Sequence, residues 1–257
     1  MAKHPTIKDF IQSKGKEKLA VLTAYDAQMA KILEQVGIDI ILVGDSLGNV
    51  MLGHPNTLRV RMEDMIHHTR AVTRSATQSF VVADMPFGSY QESPEQAFRN
   101  ACRLISEGGA QAIKLEGGKN VAPMIEKITS NGIPVMAHIG LTPQYVHQLG
   151  GFAKQGKTEQ TAGRIFQDAL AVEKAGAFSV VIECTENTLT KKITQELHIP
   201  TIGIGSGDDC DGQVLVINDL LGLATYPIPS FAKPRIDLRS IIAEQIQGFI
   251  TDTKSKV

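Results

Sequence analysis

The chain has 257 residues, and its 26 Lys and Arg against 27 Asp and Glu leave a formal net charge of −1. This balance gives no electrostatic case for nucleic acid or an anionic membrane as a partner. Three widely spaced cysteines, none in a CxxC pair, argue against a disulfide framework. Because the first residues are polar and no apolar run is long enough to span a bilayer, we expect a cytoplasmic protein.

Short apolar runs recur along the chain and predict β-strands. They lie at 19–23, 39–43, 80–84, 112–116, 135–138, 179–183 and 201–204, with an eighth at 213–217. Four of the runs are preceded by a glycine that suits the left-handed turn at a helix end, namely Gly37, Gly109, Gly132 and Gly176. These junctions indicate helices that run directly into strands.

Helical patterns fill the segments between the runs. They occupy 27–36, 63–75, 93–107, 121–130, 158–175 and 187–197, and a last helix is expected near 238–251. In 93–107, Ser93 is the predicted N-cap, Pro94 the first helical residue, and Gln96 the partner that completes a capping box.

Alternation of strand and helix about eight times predicts parallel strands with helices outside. A barrel of this kind typically takes about 250 residues. We therefore predict one (β/α)8 TIM-type barrel domain over residues 1–257, with a helical tail from about 236. A doubly wound open sheet is the alternative, but no GxGxxG follows the first strand.

Polar side chains stand at the carboxyl ends of successive predicted strands. They are Tyr25, Asp26, Asp45, Ser46, Asp84, Lys114, Glu116, His138 and Glu183. In a barrel these ends converge on one mouth, where active sites are built. Strand parity directs Lys114 and Glu116 to the interior and the apolar residues beside them to the helices. These two either pair with each other or belong to a ligand site, and the presence of Asp45 and Asp84 favours the site.

Asp45, Asp84 and Glu116 offer three carboxylates without a Cys or His partner, a donor set that suits Mg²⁺ better than Zn²⁺. Glu183 follows an apolar run and is the candidate general base. Its alternative role is a salt bridge at the mouth, with Lys114 as the partner. His67 and His68 lie in the middle of a predicted helix and are expected to be solvated.

Nine short motifs occur in the order typical of one enzyme family. They are Leu22-Thr-Ala-Tyr-Asp26, Gly44-Asp-Ser-Leu-Gly48, His68-Thr-Arg-Ala-Val72, Ala83-Asp-Met-Pro-Phe87, Lys114-Leu-Glu-Gly117, His138-Ile-Gly-Leu-Thr-Pro143, Leu149-Gly-Gly-Phe152, Gly203-Ile-Gly-Ser-Gly207 and Cys210-Asp-Gly-Gln213. From residue 6 to residue 234 the chain resembles the ketopantoate hydroxymethyltransferases. Asn218 stands where that family often has His, a departure outside the carboxylate set.

The resemblance implies a barrel of the phosphoenolpyruvate mutase–isocitrate lyase type. It implies transfer of a hydroxymethyl group from 5,10-methylenetetrahydrofolate to 3-methyl-2-oxobutanoate, giving 2-dehydropantoate for pantothenate and coenzyme A through a Mg²⁺-stabilised enolate. By motif, Asp45, Asp84 and Glu116 would be the Mg²⁺ site, with Glu116 bound directly or through water. The residues around the oxo acid would be Asp45, Ser46, Asp84, Lys114 and His138. Glu183 would accept the proton.

Members of this family form homo-oligomers, commonly decamers in bacteria, and the resemblance implies the same here. One rival function is a Mg²⁺-dependent carbon–carbon lyase or phosphonate mutase on the same fold. Those enzymes are expected to carry a reactive cysteine in a mobile loop, and none of the three cysteines is well placed for that. A second rival is a non-catalytic barrel that binds oxo acids or metal.

Overall fold

Eight parallel strands close into a barrel in chain order, with the last strand beside the first, in a computed structural model that describes residues 5–255. The strands are β1 Leu19–Thr23, β2 Ile40–Val43, β3 Phe80–Asp84, β4 Ala112–Glu116, β5 Val135–Gly140, β6 Ser179–Glu183, β7 Thr201–Ile204 and β8 Gly212–Leu215. The predicted (β/α)8 barrel is confirmed. The eighth strand lies slightly earlier in the chain than the predicted 213–217.

Helices surround most of the barrel. They are α1 Ile7–Ser13, α2 Ala27–Gln35, α3 Leu47–Val50, α4 Met62–Ser75, α5 Pro94–Ser106, α6 Ala122–Thr129, α7 Val146–Leu149, α8 Glu159–Lys174, α9 Asn187–Glu196, α10 Ile217–Leu220 and α11 Leu238–Lys254. Short 3-10 turns lie at Thr57–Arg59, Lys119–Val121 and Pro143–Tyr145. No helix separates β7 from β8, which are joined by the loop 205–211. No helical segment is predicted between 204 and 213, and so short a loop leaves no room for one.

The junctions between helices and strands follow the sequence signals. Four glycines that precede strands have φ between 78° and 93°, the left-handed region, and they are Gly37, Gly109, Gly132 and Gly176. Ser93 caps α5 by accepting a hydrogen bond from the Gln96 backbone N–H at 3.1 Å. The Gln96 side chain accepts from the Glu92 N–H instead of that of Ser93. The predicted reciprocal capping box is therefore only half formed.

The barrel divides the core into two layers. Outward residues of β2 to β6 are fully buried beneath the helices, as Ile41 and Ile113 illustrate. Inward residues form a separate cluster, which Phe10 of α1 closes at the amino ends of the strands. The Phe10 ring lies 5.1 Å from that of Phe80, which lies 6.0 Å from that of Phe178. This plug leaves the carboxyl ends of the strands as the open end of the barrel.

Between residues 5 and 255, no helix is both long enough and apolar enough to cross a bilayer.

Candidate active site

The strand ends bring six of the predicted side chains to one mouth. They are Asp45, Asp84, Lys114, Glu116, His138 and Glu183. Registers between neighbouring strands place Asp84 beside Lys114, and Glu116 beside His138. The loop after β2 then turns so that the Asp45 backbone N–H donates to Asp84 Oδ2 at 2.9 Å. All six except Glu183 are buried, so this is a polar cluster inside the protein.

Lys114 forms a buried ion pair with Asp84, with 2.5 Å between Nζ and Oδ1. Burial opposes the charge of the ammonium group, but the carboxylates of Asp84, Glu116 and Asp45 outweigh burial and raise the pKa of Lys114. Lys114 is therefore a fixed positive charge that faces several carboxylates. It pairs neither with Glu116, as the simpler interpretation of the sequence had it, nor with Glu183.

Asp45 is a second buried carboxylate of the cluster. Burial, followed by repulsion from Asp84, raises the pKa of Asp45 to about 7, against the lowering influence of Lys114. Its Oδ2 accepts a hydrogen bond from Gln144 Nε2 at 2.9 Å. Because one amide does not neutralise a buried charge, the metal-free site holds Asp45 close to the boundary between its protonated and ionised forms.

Gln144 and Tyr90 connect the carboxylates, and reasoning from the sequence missed both. The Gln144 backbone N–H donates to Glu116 Oε2 at 2.9 Å, and the Tyr90 hydroxyl donates to Gln144 Oε1 at 2.7 Å. Burial and the charge of Asp45 raise the pKa of Glu116 well above its usual value. Neither Gln144 nor Tyr90 stands at a strand end or carries a charge. The available signal was that Gln144 directly follows the motif ending at Pro143.

His138 lies between two carboxylates. Its Nε2 is 3.2 Å from Glu183 Oε2 and its Nδ1 is 3.6 Å from Glu116 Oε1, but neither nitrogen has hydrogen-bond geometry. Burial and the positive charge of Lys114 lower the pKa of His138, so the imidazole is neutral at pH 7. The Glu183 side chain remains 17% exposed at the rim of the mouth. Glu183 can therefore meet a substrate, with the neutral His138 imidazole beside it.

Two further residues of the mouth are Tyr25, which follows β1, and His68 of α4. The Tyr25 hydroxyl lies 2.8 Å from Ser46 Oγ, and His68 Nδ1 lies 2.6 Å from the Tyr25 carbonyl oxygen. His67 is exposed as expected, but the prediction that His68 is solvated is wrong, because α4 turns it onto the loop after β1. Asn218 follows β8 and is buried, with no hydrogen-bond partner for Oδ1 among the described residues.

The backbone is unusual directly after Glu183. Among residues 5–255, Cys184 is the only non-glycine residue with positive φ, at 43°. Burial and the Glu183 carboxylate raise the pKa of the Cys184 thiol to about 11. Cys210 is buried and its pKa is also raised by burial, and Cys102 lies on α5. A thiol with a raised pKa is a poor nucleophile, so neither Cys184 nor Cys210 fits the chemistry expected of the lyase and mutase alternatives.

The donor set of the mouth fits a divalent cation. Within residues 5–255, no three His, Cys, Asp or Glu side chains form a group that could hold a metal ion by themselves. Mg²⁺, however, needs only one or two carboxylates together with water and substrate oxygens. Asp45, Asp84 and Glu116 face the single charge of Lys114 and sum to −3 + 1 = −2 when ionised. A divalent cation among these carboxylates would balance that charge.

Comparison with known proteins decides the family. The sequence model described as ketopantoate hydroxymethyltransferase matches residues 4–257. The chain belongs to this family. It is 54% identical over 255 residues to the 3-methyl-2-oxobutanoate hydroxymethyltransferase of Geotalea daltonii, covering 99% of this chain and 96% of that protein. Identity to the protein of the same name from Pelobacter propionicus is 52% over 256 residues, covering 99% and 95%.

The family resemblance read from the nine motifs is thereby confirmed. Among solved structures, a putative phosphonomutase from Burkholderia cenocepacia is similar with a TM-score of 0.68, covering 94% of this chain and 98% of that one. At 17% identity this likeness shows the fold alone. The roles of individual residues of this chain remain predictions. The geometry of the mouth defines the contacts on which they depend.

Proposed function

We propose that this protein transfers a hydroxymethyl group from 5,10-methylenetetrahydrofolate to 3-methyl-2-oxobutanoate, giving 2-dehydropantoate. Relatives that are 52% and 54% identical carry the name of this activity. The observation that carries the proposal is the position of Glu183, a partly exposed carboxylate at the rim of a buried cluster of opposite charges. Removal of a proton next to a keto group requires a base and positive charge near the keto oxygen, which Lys114 and a bound cation would supply.

Glu183 is the proposed base that removes the C3 proton of the oxo acid. The rim position lets its carboxylate reach a bound substrate, and the neutral His138 lies 3.2 Å away. Because positive φ at Cys184 fixes the turn after Glu183, the base is held by the backbone. The carbon that loses the proton then bonds to the methylene carbon of the folate, and water supplies the hydroxyl group. Both C–N bonds of that methylene carbon break, and tetrahydrofolate leaves with the C3 proton and the second water proton on its two nitrogens.

Negative charge develops on the keto oxygen as the proton leaves, and Lys114 together with a bound cation would stabilise it. Lys114 provides a permanent positive charge that Asp84 holds in position. Asp45, Asp84 and Glu116 would hold Mg²⁺, with Glu116 bound directly or through water. The ion would supply Lewis-acid stabilisation of that oxygen. Ser46, hydrogen-bonded to Tyr25 at 2.8 Å, is the proposed neutral contact to the substrate.

Proton exchange at C3 tests base, metal and substrate together. NMR of 3-methyl-2-oxobutanoate in D₂O should show enzyme-dependent loss of the C3 proton signal when Mg²⁺ is present and none after chelation. Glu183→Gln keeps the size of the side chain and removes its basicity, so exchange should fall by about 10²–10⁴-fold.

Glu186→Gln is the matched control. Glu186 lies three residues further on, is partly exposed and forms an ion pair with Lys154 at 3.7 Å. This variant should exchange at the wild-type rate. Normal exchange in Glu183→Gln would remove Glu183 from the base role, and exchange that persists without any divalent ion would remove the metal from the proposal.

A further inference from the structure

Gln144 is a buried residue that contacts three strand ends other than its own. It lies in the 3-10 turn Pro143–Tyr145 after β5 and is 3% exposed. Its Nε2 donates to Asp45 Oδ2 after β2 and to the Met85 carbonyl after β3, both at 2.9 Å. Its backbone N–H donates to Glu116 Oε2 of β4 at 2.9 Å. One residue therefore binds two of the three carboxylates at the mouth.

The orientation of the Gln144 amide is fixed by its neighbours. The Met85 carbonyl can only accept a hydrogen bond, so it faces the amide nitrogen. At the other side of the amide, Oε1 accepts from the Tyr90 hydroxyl at 2.7 Å and from Gln91 Nε2 at 3.2 Å. A rotated amide would place Oε1 against the Met85 carbonyl and lose these hydrogen bonds. The donor of Gln144 therefore stays directed at Asp45.

Hydrogen bonds hold the three carboxylates of the mouth against rotation. Gln144 engages one oxygen of Asp45 and one oxygen of Glu116. Both oxygens of Asp84 are engaged, Oδ1 by Lys114 Nζ at 2.5 Å and Oδ2 by the Asp45 backbone N–H at 2.9 Å. All three carboxylate residues are buried. Because hydrogen bonds to charged oxygens are strong, each carboxylate is kept in one orientation.

We propose that Gln144 is a specificity-determining residue that makes the mouth select Mg²⁺ over Ca²⁺. This inference rests on the metal site of the proposed function. Mg²⁺ demands octahedral geometry at about 2.0–2.1 Å, whereas Ca²⁺ takes about six to eight oxygens at about 2.3–2.6 Å, some of them from carboxylates that bind through both oxygens. Carboxylates in fixed orientations suit Mg²⁺. Asp45 and Glu116 cannot turn both oxygens towards a larger ion without losing the hydrogen bonds from Gln144.

A second glutamine, Gln111, shows what a structural amide does in this fold. Its side chain accepts from the Val81 backbone N–H at 2.8 Å and donates to the Ser79 carbonyl at 3.4 Å, at the amino ends of the strands. Both partners are backbone groups. By contrast, two of the three acceptors that Gln144 contacts are carboxylates of the proposed metal site. Gln144 therefore does more than fasten a loop to its neighbours.

Isothermal titration calorimetry with MgCl₂ and with CaCl₂, without either substrate, tests the selectivity. Gln144→Met keeps the length of the side chain and the backbone N–H but removes the amide. It should weaken Mg²⁺ binding by about 10–100-fold, the usual effect of losing a hydrogen-bond partner of a metal ligand. Ca²⁺ accepts movable carboxylates, so the ratio of its Kd to that of Mg²⁺ should fall by at least about three-fold. Gln111→Met is the matched control and should leave both Kd values unchanged.

Two further variants keep the proposal falsifiable. Tyr90→Phe removes the hydroxyl that holds Gln144 Oε1, and it should shift the same ratio in the same direction by a smaller factor, even if circular dichroism shows that Gln144→Met folds poorly. Asp45→Asn separates this inference from the proposed function. Unchanged Mg²⁺ binding in Asp45→Asn would remove the proposed metal site and the selectivity with it. Binding lost in Asp45→Asn, with an unchanged ratio in Gln144→Met or in Tyr90→Phe, would overturn the role of Gln144 alone.

Discussion

The two ends of the barrel treat charge in opposite ways. At the amino ends, three phenylalanine rings close the interior, and the nearby ion pair joins Asp211 to Lys14, which is partly exposed. At the carboxyl ends, carboxylates and a lysine lie inside the protein, and burial raises the pKa of Asp45 to about 7. The first arrangement stabilises the fold and the second destabilises it. Charges kept where they cost stability indicate a site selected for chemistry.

The largest expected effect comes from replacing Lys114, in the cluster at the carboxyl ends. Lys114→Met leaves the Asp84 carboxylate buried without its partner, which should lower the free energy of unfolding by about 3–5 kcal/mol. Turnover should fall by at least about 10²-fold, because the charge facing the substrate is lost. Lys14→Met is the matched control at the other end. Its ion pair is partly exposed, so stability should fall by only about 1 kcal/mol, with turnover unchanged. Urea unfolding measures the free energy of unfolding, and an assay at 25 °C measures turnover. Equal losses in Lys114→Met and Lys14→Met would contradict the difference between the two ends.

Phe10→Ala tests the opposite end. Phe10 is 4% exposed and packs on Phe80, so its removal should cost about 3–5 kcal/mol of unfolding free energy. Turnover by the protein that remains folded at 25 °C should stay within about two-fold of wild type, because the plug lies at the far end of the strands. Ile11→Ala is the control on the same helix, since Ile11 is 40% exposed, and should change stability by less than about 0.5 kcal/mol. A large drop in turnover for Phe10→Ala would show that the ends are coupled.

The barrel and the polar residues of its mouth could be predicted because their signals are local. Apolar runs of four or five residues and glycine junctions fix the strands, and parity places Lys114 and Glu116 inside. Carboxyl ends of parallel strands then meet by geometry alone. The absence of a helix between β7 and β8 agrees with the same signals, since no helical pattern is predicted between 204 and 213.

Partners within the site were harder to predict than its members. Nothing in the sequence says that Lys114 pairs with Asp84 while His138 faces Glu183, since several pairings satisfy the same charges. Gln144 was missed because it reaches the carboxylates from a 3-10 turn in the loop after β5. The contacts of Gln144 depend on loop geometry, which strand periodicity does not determine.

Asp211→Asn should have a moderate effect that depends on pH. Burial opposes ionisation of Asp211, but hydrogen bonds from Lys14 and the Thr201 backbone N–H outweigh it and lower its pKa. Its stabilisation is therefore present above the unfolded pKa and is lost as the pH falls through the folded one. The variant should lose about 1.5–3 kcal/mol at pH 7, and its difference from wild type should narrow towards about pH 3. Urea midpoints at both pH values measure this. A difference independent of pH would mean that the charge of Asp211 plays no part.

Asp45→Asn should give the smallest change and the opposite sign. The folded pKa of about 7 lies above the unfolded value, so the native protein holds an extra proton and loses stability as the pH rises towards 8. In EDTA, wild type should therefore lose about 1 kcal/mol more than Asp45→Asn between about pH 6 and pH 8. The lowered pKa of His138 acts in the other direction, but it is common to both proteins and cancels in the difference. Adding Mg²⁺ should stabilise wild type more at the higher pH, because the ion competes with that proton, and should leave Asp45→Asn nearly unaffected. Equal stabilisation of both proteins by Mg²⁺ would place the ion away from Asp45, and the charge at the mouth would then need another explanation.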